Sequence, residues 1–165
     1  MMPFFATTKR LNSKAARVLL IDDDRTRRYA LAQTLRADGC DVQSASGHES
    51  WLSLFKDCLT EPAAWVSFVL AVEPDVVVLA IEQPLALATL AALARQPLTR
   101  PVPVLVLGDA ADKDYVHAAL SLGAVRLVER SSGFRTLGPL IETLLAESRP
   151  RAARTGAECR RETVN

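Results

Sequence analysis

The sequence predicts an α/β fold, a doubly wound five-stranded parallel sheet, from two observations. Apolar runs of strand length recur at Arg17 to Ile21, Asp41 to Ala45, Pro74 to Ala80, Val102 to Leu107 and Ala124 to Val128. Between them lie stretches with apolar residues at helical spacing, bounded by Gly or Pro. Strands that alternate with helices fold as β-α-β crossovers, which lay helices on both faces of a parallel sheet.

The first strand (RVLLI) ends in Asp22-Asp23-Asp24, which puts acids at its C-terminal tip. A helix follows, with Arg28, Leu31 and Leu35 at helical spacing, Asp24 as N-cap and Gly39 as C-cap. Asp41 to Ala45 alternates and reads as an edge-like strand. Gly47 opens a second helix with Trp51, Phe55 and Leu59 on one stripe, and Pro62 breaks it. Trp65, Phe68, Val69 and Val72 then fall at i, i+3, i+4 and i+7, an extra short helix before the third strand.

Val76 to Leu79 is a continuous β-branched and apolar run, as a central strand covered on both faces requires, and Pro84 stops it. Its last residue is Ala80. Residues 85–95 form an Ala/Leu helix closed by Pro97 and Pro101. The fourth strand (VPVLVL) leads to a helix from Asp112 to Leu122, capped by Gly123. After a weaker fifth strand, the last helix runs from Phe134 to Ala146, weakened by Gly138 and Pro139. Five such units suit the flavodoxin-like order 2-1-3-4-5, whose switch point lies between strands one and three. The crevice there is rimmed by Asp22, Asp23, Ala80 and Gly108.

The 165 residues suffice for one domain, 16–147, between a loose basic arm at 1–15 and an Arg-rich, disordered tail or linker at 148–165. A net charge of +1 provides no global field to draw in nucleic acid or membrane. Cys40, Cys58 and Cys159 are odd in number and lack metal-like spacing, which fits structural thiols in a reduced, cytoplasmic protein. The N-terminus is too short and polar for a signal peptide, and no apolar run reaches membrane length.

Several landmarks fall in one register: Ile21-Asp22-Asp23-Asp24, Arg28, Leu31, Leu35, Gly39, Val42 and Ala45-Ser46-Gly47, then Pro74-Asp75, Pro84, Asp112, Ala118-Ala119 and Gly123-Ala124. In this order they resemble the receiver domain of bacterial two-component response regulators, over residues 16–147. The resemblance implies paired acids that hold Mg²⁺, an aspartate after the third strand that accepts a phosphoryl group from a histidine kinase, a Thr or Ser after the fourth strand and a Lys after the fifth. Here the acids are Asp22 and Asp23, but the acceptor position is Ala80, the hydroxyl position Gly108 and the lysine position Arg130, with Ser131 after it. Gln83 replaces the Met before Pro84.

Ala80 has no oxygen to attack phosphorus, and its methyl removes one carboxylate from a hard-cation site. Arg130 keeps a charge without a lysine's compact ammonium and is expected to pair with Asp22 or Asp23. The expectation is a pseudo-receiver that works without phosphorylation and without a required cofactor, Mg²⁺ being at most weakly held at Asp22 and Asp23. Reverting Ala80 to Asp alone is expected to restore metal binding and not a working switch. Arg25, Arg27 and Arg28 read as a solvated cluster or a phosphate contact, and His117 as a surface or packing residue. Asp109, Asp112 and Asp114 read as helix-start capping and dipole pairing.

Residues 62–72 and 83–94 contain no charge. The topology makes these helices neighbours. They read either as an apolar interface for a homodimer or protein partner (Trp65, Phe68, Leu85, Leu87, Leu90) or as one helix covering the other within the chain. The alternative interface is the fourth-helix and fifth-strand surface around Tyr115, Arg126 and Leu127. The function expected is a regulatory module acting by protein–protein contact, non-enzymatic, as in a bacterial transcription regulator whose effector follows the tail. The alternatives are a phosphotransfer receiver using Glu82 or Asp109, and a nucleotide or nucleic-acid binder through the Arg-rich ends.

Overall fold

The computed structural model describes residues 15–46, 62–80 and 85–148. Five strands, β1 (Arg17–Ile21), β2 (Asp41–Ala45), β3 (Val76–Leu79), β4 (Val104–Gly108) and β5 (Arg126–Glu129), form one parallel sheet. Its order is β2-β1-β3-β4-β5, the doubly wound arrangement expected of the sequence. Among the described residues five helices accompany it: α1 (Arg25–Ala37), α2 (Pro62–Val72), α3 (Leu85–Arg95), α4 (Lys113–Ser121) and α5 (Gly133–Ser148). The segment with Trp51, Phe55 and Leu59, together with Glu82, Gln83, Cys58, Cys159 and the two ends, lies outside the described residues.

Side chains along a strand alternate between faces, and here each face is a packed layer. Val18, Leu20, Val76, Val78 and Ala80 pack with Leu31 and Leu35 of α1 and Leu137 and Ile141 of α5. Leu19, Ile21, Val77 and Leu79 point the other way, onto Trp65 and Val69 of α2, Leu90 and Leu93 of α3 and Tyr115 of α4. β3 pairs with β1 and β4 and is buried along its whole length, which is why its sequence lacks polar alternation.

The ends of the helices are where the sequence puts them. Asp24 accepts from the Arg27 amide at 2.9 Å and Asp112 from the Tyr115 amide at 3.0 Å, each satisfying an amide that α1 or α4 leaves open. Gly39 and Gly123 adopt φ of +87° and +106°, the left-handed region that follows a helix end. β3 ends one residue earlier than expected, but the Ala80 amide still donates to Ile21 O at 2.7 Å, so Ala80 continues the ladder. β4 is shifted toward Gly108, its last residue. α5 runs straight through Gly138 and Pro139. A Cβ at Gly138 would meet the Asp38 carboxylate from the α1–β2 turn, an exposed side chain that would have to shift.

The helices of the two charge-free stretches do meet, and their meeting corrects one expectation. α2 and α3 pack against each other and against the sheet. Trp65 and Leu90 are fully buried and Tyr115 nearly so; all three belong to the chain's own core. These side chains offer nothing to a partner. Phe68, Leu85, Leu87 and Leu127 are half-buried and pack on the same cluster, with Phe68 edge-on to Trp65 at a centroid distance of 6.1 Å. α2, which has no charge, and α3, whose charge is Arg95 at its end, thus cover part of each other within the chain. The exposed large hydrophobics among the described residues are Tyr29, Leu98, Leu120 and Val125, and none is on α2 or α3.

Candidate functional site

Parallel strands deliver their C-terminal ends to one edge of the sheet, and the crevice forms where neighbouring connections leave on opposite faces. Here that point lies between β1 and β3. Asp22, the residue after β1, continues the β2 ladder by donating its amide to Ala45 O at 3.0 Å. Its side chain turns inward and is 0 % exposed. A carboxylate with no access to water requires charge and hydrogen bonds from the protein.

Arg27 provides both. Its Nε donates to Asp22 Oδ2 at 2.6 Å and its Nη2 to Asp22 Oδ1 at 2.6 Å, the two-bond fork that matches guanidinium to carboxylate. The Asp24 amide donates to Oδ1 as well, at 2.9 Å. The same Nη2 reaches Ala80 O at 3.3 Å, so one guanidinium bridges the tips of β1 and β3. The next arginine, Arg28, is also buried, and its Nη1 donates to the Asp22 carbonyl at 2.6 Å. The expectation that Arg25, Arg27 and Arg28 form a solvated face is therefore corrected for two of the three. Arg25 alone is exposed, beside an open cleft of about 490 Å³ that Thr26, Arg28, Tyr29, Ala32, Arg36 and Ser44 also line.

Helix phase explains the inward turn of Arg28, which stands one turn before Leu31 and shares its buried stripe. Arg27 is placed by the cap. Its amide is held by Asp24, whose carboxyl is kept below its ordinary value of 3.8 chiefly by that hydrogen bond. Arg27 Nη1 also lies 3.8 Å from Asp24 Oδ2.

The opposite half of the crevice is built differently. Gly108 closes β4, and a Cβ there would stand 2.8 Å from Tyr115 Cε1 and 3.3 Å from Leu127 Cδ1. The room a side chain would take is filled by the Tyr115 ring. Arg130 follows β5 and continues its ladder by donating its amide to Gly108 O at 3.0 Å. Of the two partners expected for Arg130, Asp22 or Asp23, the first is paired with Arg27. The Arg130 charge also acts on Asp24, holding its carboxyl down as the smallest of several influences. Glu129 was not singled out by sequence; its Oε2 accepts from the Ala110 amide at 2.8 Å and pins the β4–α4 loop.

Asp109 is exposed and accepts from the Ala111 amide at 2.8 Å, Asp114 lies in the first turn of α4, and His117 is exposed on α4. Asp75, at the far end of β3, accepts from the Arg17 amide at 2.8 Å and joins β3 to β1.

The described residues do not fit a magnesium ion. Mg²⁺ wants near-octahedral oxygen ligands with carboxylates among them. Of the two acids expected to hold the ion, Asp22 has both oxygens accepting from Arg27 and Asp23 beside it is half-buried, while position 80 offers only a carbonyl that Arg27 also contacts, which leaves the carboxylate set short. Among the described residues no group of three or more His, Cys, Asp or Glu is placed to hold a metal.

No known protein-family profile matches the chain, and no curated protein does. Solved structures do. The receiver domain of a signal transduction histidine kinase from Syntrophus aciditrophicus superposes with a TM-score of 0.64 at 20% identity, covering 92% of this chain and 98% of that one. The receiver domain of a sensor histidine kinase from Pseudomonas aeruginosa PAO1, solved with magnesium coordinated in its active-site cleft, gives 0.63 at 14% identity over 81% of this chain and 99% of that one. NtrX from Brucella abortus gives 0.63 at 20% identity over 82% of this chain and 28% of that longer one.

The chain thus has the receiver fold, flavodoxin-like and five-stranded. No described helix is long and apolar enough to cross a membrane.

Proposed function

We propose that this chain is a receiver-fold signalling module that works without phosphorylation at the β3 tip, through contact with another protein. One observation carries the reading. Ala80 stands at the β3 tip with a methyl where chemistry needs a nucleophilic oxygen, and the neighbouring carboxylate, Asp22, is already neutralised by Arg27. Phosphoryl transfer to a receiver needs an acceptor carboxylate and a cation to screen the transferring group; here position 80 has no carboxylate, and the cation beside it, Arg27, is already committed to Asp22. The Pseudomonas domain binds magnesium in its cleft; this chain is assigned the same fold with an internal cation instead.

The contact surface assigned is that of α4 and β5. Leu120 and Val125 are two of the exposed large hydrophobics among the described residues, and Arg126 beside them is exposed. Apolar groups rimmed by charge are what protein interfaces present. The same fold as a minor part of a longer chain in NtrX supports the reading of a regulatory domain that passes state to an effector.

The test is intact-mass measurement after incubation with acetyl phosphate and Mg²⁺. The expected spectrum is that of the unmodified chain. A stoichiometric phosphoryl adduct would overturn the reading, and peptide mapping would then show whether Glu82 or Asp109 accepts it.

A further inference from the structure

We infer that Arg27 is the cation of this crevice, and that it, together with the missing carboxylate at position 80, closes the site to divalent metals. The inference shares its location with the reading above, but it concerns metal exclusion and has its own readout.

Asp22 is 0 % exposed, so its charge must be matched within bonding distance. A guanidinium does this with two parallel hydrogen bonds of 2.6 Å, one to each oxygen. A metal ion approaching Asp22 would need at least one of those oxygens. It would have to displace a charged, five-donor group tethered four bonds from the backbone of α1 and aimed by the Asp24 cap. The third contact, Nη2 to Ala80 O at 3.3 Å, extends the same group to the position a third ligand would occupy.

This reverses the expectation for a reversion at position 80. The Ala80 methyl packs with Leu31 and Leu35, on the face of the sheet that α1 covers. Arg27 enters from that same helix. A carboxylate introduced at position 80 therefore meets Arg27 first. It enlarges an ion-pair network and leaves no ligand set open. Metal binding requires two changes, a carboxylate gained at 80 and the guanidinium lost at 27. Either alone leaves the site closed or poor in ligands.

The test is Mn²⁺ titration, by calorimetry and by the electron paramagnetic resonance signal of the free ion, on the wild-type chain, Ala80→Asp, Arg27→Met and Arg27→Met/Ala80→Asp, each checked for fold by circular dichroism. Wild type and Ala80→Asp are expected to show no saturable site, and the double variant to bind. The affinity of the double variant is expected to exceed the upper bound set for Ala80→Asp by about tenfold or more, the size of a typical coupling free energy. Arg27→Gln keeps an N–H donor for Asp22 without the charge and replaces methionine in the same arms if that variant does not fold. Saturable Mn²⁺ binding by the wild type would overturn the inference, as would equal affinity in Ala80→Asp and the double variant. A phosphoryl adduct on wild type would overturn the signalling reading and leave the Mn²⁺ isotherms to decide this one.

Discussion

The two halves of the crevice each lack a polar group that the receiver resemblance leads one to expect, and each is filled from a neighbouring helix, in opposite ways. On the β1–β3 side the carboxylate Asp22 remains and a charge from α1 answers it. On the β4–β5 side nothing polar remains at Gly108, and the Tyr115 ring of α4 occupies its space. The first half is closed electrostatically and the second sterically. A charged closure can take in an added opposite charge, whereas a packed one resists any added atom.

The largest effect should come from removing the charged closure. Arg27→Met leaves Asp22 buried without its partner, and loss of about 3 kcal/mol is expected, the lower end for breaking a buried pair because Arg27 is partly solvated. Urea denaturation measures it. A loss no larger than that of a surface substitution would show the pair contributes little.

Gly108→Thr forces new atoms against the Tyr115 ring and should lose about 2 kcal/mol, an overpacking effect. In a Tyr115→Leu background the same change should be milder, because the neighbour is then smaller; additivity in that double-mutant cycle would separate Gly108 from Tyr115. Ala80→Asp should lose less than Gly108→Thr, about 1 kcal/mol, since Arg27 stands ready to receive the new charge. The reverse ranking would erase the contrast between the halves.

The smallest effect is a matter of pH. The Asp24 carboxyl sits below its ordinary 3.8, first through the hydrogen bond from the Arg27 amide. A depressed carboxyl contributes stability above its unfolded value and loses it as pH falls through the folded one. Asp24→Asn keeps the cap without that titration. The variant and wild type should respond alike at neutral pH, and below pH 3.8 wild type should lose stability more steeply. Parallel acid limbs would detach the cap from the charged half.

Much of the fold was readable because it is written in local terms. β-branched runs, the caps Asp24 and Asp112, and the turn glycines Gly39 and Gly123 each state their role within a few residues. The loss of an oxygen at position 80 was equally plain. The refilling was not. Arg25, Arg27 and Arg28 look alike in sequence, and only Arg28 carried a hint, its helical spacing from Leu31. The direction of Arg27 depends on where β1 and β3 end relative to α1, which is tertiary information. Tyr115 is similar: its burial depends on there being no side chain at Gly108, which lies on a different element. The charge-free stretches 62–72 and 83–94 suggested an interface because sequence shows how apolar a helix is and not what covers it.

One consequence of the Arg27 bridge reaches beyond the crevice. A counter-ion grown on the chain cannot be chelated, diluted or outcompeted, since its local concentration is fixed by the length of its own side chain. EDTA and millimolar magnesium should find the wild-type fold in the same state.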